Sequence, residues 1–142
     1  MRRSTFLFLV LAAGALAQNP APALKLPLQP KSVRFAVIGD SGTGGKEQYE
    51  VGQQMAKFRG LFPFDFVIML GDNMYGGQGE ADYKIKFEAP YKALLDGGVK
   101  FYAALGNHDE PNQRFYKPFN MGGKRYYSFN NGNAEFFALD SN

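Results

Sequence analysis

Three short apolar runs in this chain, Val33–Ile38, Phe64–Leu70 and Val99–Leu105, each end on a glycine followed at once by an oxygen-bearing side chain. The endings read Gly39-Asp40, Gly71-Asp72-Asn73 and Gly106-Asn107-His108-Asp109. Asp40, Asp72 and Asn107 are separated by roughly 30 to 35 residues, and a strand–helix–strand crossover needs about 30 or more, so the three ends can lie side by side. The runs are too continuous for strands with one wet face and predict central strands covered on both faces. Lys46–Phe58 and Ala81–Leu95 between them are helical candidates, with Pro90 set to kink or split the second. Tyr126–Phe129, the turn dipeptide Asn131-Gly132 and Glu135–Leu139 predict a hairpin. The order β-α-β-α-β-β-β describes an α/β domain with a mostly parallel core and a C-terminal hairpin.

Open α/β sheets form their sites outside the carboxyl ends of the strands, so Asp40, Asp72, Asn107 and His108 are expected to converge on one crevice. A glycine ahead of each ligand lets the backbone turn sharply where side chains crowd. Carboxylates gathered there repel one another unless a cation sits between them, and two carboxylates with an amide and an imidazole make a hard O/N donor set. A metal site follows as the expectation. Taken one at a time, each of these residues also suits a turn or a helix N-cap; three in register, with His108 beside one, favour the metal. The chain has no cysteine, which excludes thiolate zinc sites, iron–sulfur clusters, thiol nucleophiles and disulfides together.

Residues 1–17 have the anatomy of a secretory leader: Arg2 and Arg3, the apolar run Phe6–Leu16, and the small-x-small site Ala15-Leu16-Ala17. Residues 18–31 carry four prolines and no helical or strand period, and read as an extended linker. The folded unit is expected from residue 32 onward. Of 16 basic residues against 13 acidic ones, Arg2 and Arg3 leave with the leader, so the mature chain is nearly neutral. No basic run or face argues for nucleic acid, or for a membrane once the leader is gone, as partner. The protein is expected to be secreted or periplasmic.

The blocks Gly39-Asp40-Ser41-Gly42, Gly71-Asp72-Asn73-Met74-Tyr75 and Gly106-Asn107-His108-Asp109 resemble the first three signature blocks of the calcineurin-like metallophosphoesterase superfamily. The resemblance runs from about Val33 to the end of the chain and takes in Phe136–Asn142. Many members have histidine as a metal ligand where this chain has Gly42; glycine there, with Tyr75 closing the second block, is similar to the purple acid phosphatase branch. The resemblance implies a metallophosphatase-type β-sandwich flanked by helices, present here only as its N-terminal part (residues 32–142), and two metal ions, Fe(III) with a divalent Fe, Zn or Mn ion. It implies that Asp72 bridges the metals, that Asp40 and Tyr75 complete one side, and that Asn107 holds the second metal. Tyr75 would bind iron as phenolate, which makes chemical sense beside a strong Lewis acid because a phenol otherwise keeps its proton to about pH 10. Asn107 and His108 would bind substrate, and His108 would serve in catalysis by stabilising charge or protonating the leaving alcohol. The implied activity is hydrolysis of phosphate monoesters, small-molecule phosphate esters being the substrates.

The superfamily's later blocks supply imidazole ligands, and this chain has one histidine in all. The expectation is therefore a fragment that is inactive alone, full activity requiring a missing C-terminal part. Two other readings keep the fold, a non-catalytic binding protein and a phosphodiesterase. A nucleotide-binding loop at Gly39–Gly45 fails its templates: the dinucleotide fingerprint starting at Gly42 needs glycine where Glu47 stands, and a P-loop ending in Gly45-Lys46 needs glycine at Asp40.

Overall fold

A computed structural model describes residues 28–141. The expected leader at 1–17, and residues 18–27 of the expected linker, lie outside the described residues. Strands β1 (Phe35–Ile38), β2 (Phe66–Met69) and β3 (Lys100–Ala103) form a parallel sheet in the order β1-β2-β3. Ile38 is in register with Met69, and Met69 with Ala103, so all three strands end at one level. Strands β4 (Tyr127–Asn131) and β5 (Ala134–Ala138) pair antiparallel as a separate hairpin. Its turn falls at Gly132-Asn133, one residue beyond the expected dipeptide, and only Gly132 takes a positive φ, of 57°.

Helix α1 (Lys46–Arg59) occupies almost the expected span, with Glu47 in its first turn and Lys57 and Arg59 in its last, each suited to the helix dipole there. The second helical candidate is broken. A short helix α2 (Glu80–Tyr83) runs into a π turn over Lys84–Glu88, and α3 (Lys92–Asp96) restarts beyond Pro90. Pro90 has no N–H to continue the ladder, and Ala89 N donates to the Lys84 carbonyl five residues back at 2.9 Å. The irregular stretch carries Phe87 and Tyr91 into the core.

The parallel sheet is covered unequally. On one face Val67, Met69, Phe101 and Ala103 pack against Phe87, Tyr91, Leu94, Phe119 and Met121, and Phe87 meets Phe101 edge to face with ring centroids 5.0 Å apart. On the other face the hairpin lays Phe129 and Phe136 over Phe66 and Tyr102; the Tyr102 and Phe129 rings stack at 3.6 Å. A two-stranded hairpin is marginal alone, and this aromatic contact is what anchors it. The two sheets so stacked, with helices on the far side, are the expected α/β architecture. The expectation that all three strands are covered on both faces holds for β2 and for Phe101–Ala103 of β3, and fails for β1. β1 lies at the sheet edge, where the hairpin reaches Phe35 but leaves Val37 49% exposed. Among the described residues no helix is long and apolar enough to cross a membrane.

Candidate metal and phosphoester site

The level strand ends put three loops together. Asp40 N donates to the Gly71 carbonyl at 3.2 Å, and Ala104 N to the Met69 carbonyl at 2.8 Å, so the ladder continues past the strands and fixes the loops against one another. Asp40 and Asp72 both take left-handed backbone conformations, with φ of 52° and 48°. Few residues other than glycine adopt them, aspartate and asparagine most readily among those that do. Each carboxylate thus turns sharply off its strand at a cost in backbone strain, of the kind that gathers at working sites.

The close approach needs glycines of two kinds. Gly71, at φ 105°, backs onto Gly106, and a methyl at Gly106 would fall 2.2 Å from Asp72 Oδ1 and 2.3 Å from Asp72 N. Gly42 is tighter still: a Cβ there would lie 1.8 Å from the Asn73 carbonyl oxygen, because the 73–75 backbone crosses directly over it. Gly39 meets no such restriction, its nearest neighbour at 3.5 Å being ordinary contact. In the first loop it is Asp40 itself that makes the turn.

Asp40, Asp72 and Tyr75 come together. Tyr75 Oη lies 2.9 Å from Asp40 Oδ1 and 3.0 Å from Asp72 Oδ2. A phenol carries one proton and an ionised carboxylate carries none, so Tyr75 cannot donate a full hydrogen bond to both. Among the described residues neither aspartate forms an ion pair with lysine or arginine. Three oxygens thus share too little positive charge, and the two distances from Tyr75 Oη are about the edge of an octahedron with metal–oxygen bonds of about 2.0–2.1 Å. This donor set fits one side of a hard cation site. Among the described residues no cluster of three or more His, Cys, Asp and Glu side chains stands ready for a metal, since the third donor here is a phenol.

The electrostatics follow from the same contacts. The His108 main-chain N–H, donating to Asp72 Oδ1 at 3.1 Å, holds the Asp72 carboxyl below the usual aspartate range, partly offset by burial. The hydrogen bond to Asp40, with burial and the bond to Asp72 behind it, pushes the Tyr75 phenol well above the ordinary tyrosine value. His108 is exposed, its ring centroid 5.0 Å from that of Tyr75. Asn107 is exposed on the same loop, and its side chain makes no hydrogen bond to the three-oxygen cluster.

Four residues without an expected role tie the second and third loops together. The Asp109 carboxylate accepts from Gly106 N at 2.8 Å, Met74 N at 3.0 Å and Asn73 N at 3.1 Å, and from the side chains of Asn73 at 3.0 Å and Gln113 at 2.7 Å. Asn73, 1% exposed, also donates to the Ala104 carbonyl at 2.7 Å, so the Asn of the second block is a brace and not a ligand. Gln78 and the fully buried Gln113 complete the network. Asp109 and Asn73 stand inside the blocks and were open to a structural reading; nothing in the sequence singles out the two glutamines.

Residues 33–141 match the model of the calcineurin-like phosphoesterase family. The chain belongs to this family. It is also similar to purple acid phosphatase 7 of Arabidopsis thaliana, at 30% identity over 152 aligned residues that take in 96% of this chain and 46% of the relative. The chain thus spans about half the length of that curated relative, whose name is that of the branch expected from Gly42 and Tyr75. Within this phosphoesterase family the packing at Gly42 explains a departure from the common pattern: the space that a histidine side chain would need at this position is filled by the main chain of Asn73 and Met74.

Proposed function

We propose that Asp40, Asp72, Tyr75, Asn107 and His108 belong to a site that hydrolyses phosphate monoesters with two metal ions, Fe(III) and a divalent Fe, Zn or Mn ion. The observation that carries this reading is the contact of Tyr75 Oη with both carboxylates, three oxygen donors short of positive charge at the end of a parallel sheet. The name of the similar Arabidopsis protein, an acid phosphatase, supports monoesters as the substrate class.

Asp40, Asp72 and Tyr75 would hold one ion, with Asp72 shared and Asn107 serving the second. Such a pair, when bound, supplies charge for the phosphate and a more acidic water for in-line attack. The chain's own residues do the rest. The two carboxylates of Asp40 and Asp72 keep the phenolic proton on Tyr75, so its oxygen becomes a phenolate ligand only when positive charge opposes them. The His108 main-chain N–H occupies Asp72 Oδ1 and leaves Oδ2 on the Tyr75 side. The His108 imidazole, exposed above Tyr75, is free to bind a phosphate oxygen or to hand a proton to the leaving alcohol. The same reading places the enzyme outside the cytosol behind the leader at 1–17.

The test is hydrolysis of an aryl phosphate monoester and of a bis-aryl diester by the full-length protein, with the C-terminal part that full activity is expected to require, loaded with Fe(III) and Zn(II) and with bound metal counted. Asp72→Ala is expected to lower kcat/KM for the monoester by about 100-fold or more and to lose metal. Unchanged turnover and metal content in Asp72→Ala would overturn the site, and preference for the diester would overturn the substrate class.

A further inference from the structure

Gln78 lies outside all three blocks, yet its amide makes four hydrogen bonds at their junction. Nε2 donates to the His108 carbonyl at 2.6 Å and to the Met74 carbonyl at 3.3 Å; Oε1 accepts from Glu110 N and from Gln113 Nε2, both at 2.7 Å. A primary amide offers C=O and N–H side by side, and here they meet the C=O of His108 and the N–H of Glu110, the main-chain groups flanking Asp109. A peptide of a neighbouring strand would pair with that segment in the same way. From the opposite side, Asp72 Oδ1 accepts the His108 N–H. The main chain at His108 is therefore held through its N–H by a candidate ligand and through its C=O by Gln78.

Gln78 is itself well held. Its partner Gln113 is fully buried and also donates to Asp109 Oδ1 at 2.7 Å and accepts from Asn73 Nδ2 at 3.2 Å. The loop carrying Gln78 is fixed by Lys86, whose ammonium donates to the carbonyls of Tyr75 at 2.9 Å and Gly77 at 2.6 Å. The His108 ring, by contrast, is exposed and lies tilted against the Tyr75 ring. Its direction depends on how its own main chain is set.

We infer that Gln78 is a positioning residue for His108, aiming the imidazole at the face of Tyr75 without touching substrate. What His108 does once aimed rests on the proposed function; that Gln78 aims it does not. Only glutamine fits this place among its close relatives in shape: glutamate keeps the acceptor for Glu110 but loses the donor to His108, and asparagine is one carbon short.

His108 is the single histidine of the chain, so its imidazole signals in an NMR spectrum need no assignment by elimination. In the full metal-free chain, a scalar coupling across the hydrogen bond from Gln78 Nε2 to the His108 carbonyl carbon is expected, together with an NOE between the His108 and Tyr75 rings. Gln78→Glu is expected to lose that NOE while the Phe87–Phe101 NOE of the core persists, which a general loosening of the fold would not produce. No coupling in the wild type, a measurement that needs no variant to fold, would overturn the inference. So would a Gln78→Glu protein with the wild-type His108–Tyr75 NOE. Turnover of the metal-loaded full-length protein is the separate arm, with kcat expected to fall by about 10–100-fold at unchanged metal content. If the NOE is lost and kcat holds, Gln78 still positions His108 and it is the catalytic role of His108 that falls.

Discussion

The phenol oxygen of Tyr75 lies 2.9 Å from Oδ1 of Asp40, although the two residues stand 35 positions apart on different strand ends. A main-chain contact accompanies it: Tyr75 N donates to the Gly42 carbonyl at 3.0 Å. The segment that delivers Tyr75 to Asp40 is thus laid across Gly42, in the space a side chain at that position would occupy. Glycine in the first block and tyrosine at the end of the second are therefore one structural feature.

Gly42→Ala tests that link. Its new Cβ would meet main-chain atoms of Asn73 and Met74 at 1.8 to 2.3 Å, which no rotamer change relieves. The expected cost is about 2–3 kcal/mol or more, read as a lower midpoint in urea. A wild-type midpoint would mean that the 73–75 segment does not cross Gly42 as described.

Asp109→Asn should also destabilise. The carboxylate accepts from three main-chain and two side-chain N–H groups, and an amide nitrogen in place of either oxygen would face donors with a donor. A loss of at least about 2 kcal/mol is expected, since hydrogen bonds to a charged acceptor are the stronger kind. Equilibrium denaturation measures it, and an unchanged stability would rule out Asp109 as the tie between the loops.

Much of this fold was legible because β1, β2 and all of β3 but Lys100 are apolar, and each apolar run leads to a glycine before a polar side chain. The crossovers, the helix at Lys46 and the hairpin follow from local chemistry that the structure retains. The exposure of β1 was not legible: Phe35–Ile38 is as apolar as β2, and only the lateral position of the strand in the sheet separates them. Asp40, Asp72 and Tyr75 could be gathered from strand topology and motif together. Gln78 and Gln113 could not, because a glutamine that mimics a neighbouring peptide has no sequence signature; its partners are main-chain groups brought close by the fold.

High pH should destabilise the fold through the tyrosine that joins hairpin to sheet. Tyr127 donates to the Ala103 carbonyl at 2.9 Å, and burial, with a smaller contribution from Tyr102, raises its phenol above the ordinary value of 10.0. A raised folded-state value means that the contribution is complete below about pH 10 and is lost as pH rises from there toward the folded value. Denaturation midpoints at pH 8 and about pH 11 should therefore differ less in Tyr127→Phe than in the wild type. An equal alkaline loss in both proteins would show that Tyr127 does not carry it.

In the proposed function Tyr75, with Asp40 and Asp72, is one side of a ferric site. Adding Fe(III) to the purified chain and recording the visible spectrum beside the count of bound iron tests it most directly. Because the chain has eight tyrosines, the comparison must include Tyr75→Phe. The account predicts a phenolate-to-iron absorption band in the wild type and its loss in Tyr75→Phe, with iron still held, more weakly, by the two aspartates. Bound iron with no such band in the wild type, or a band that survives Tyr75→Phe unchanged, would contradict it.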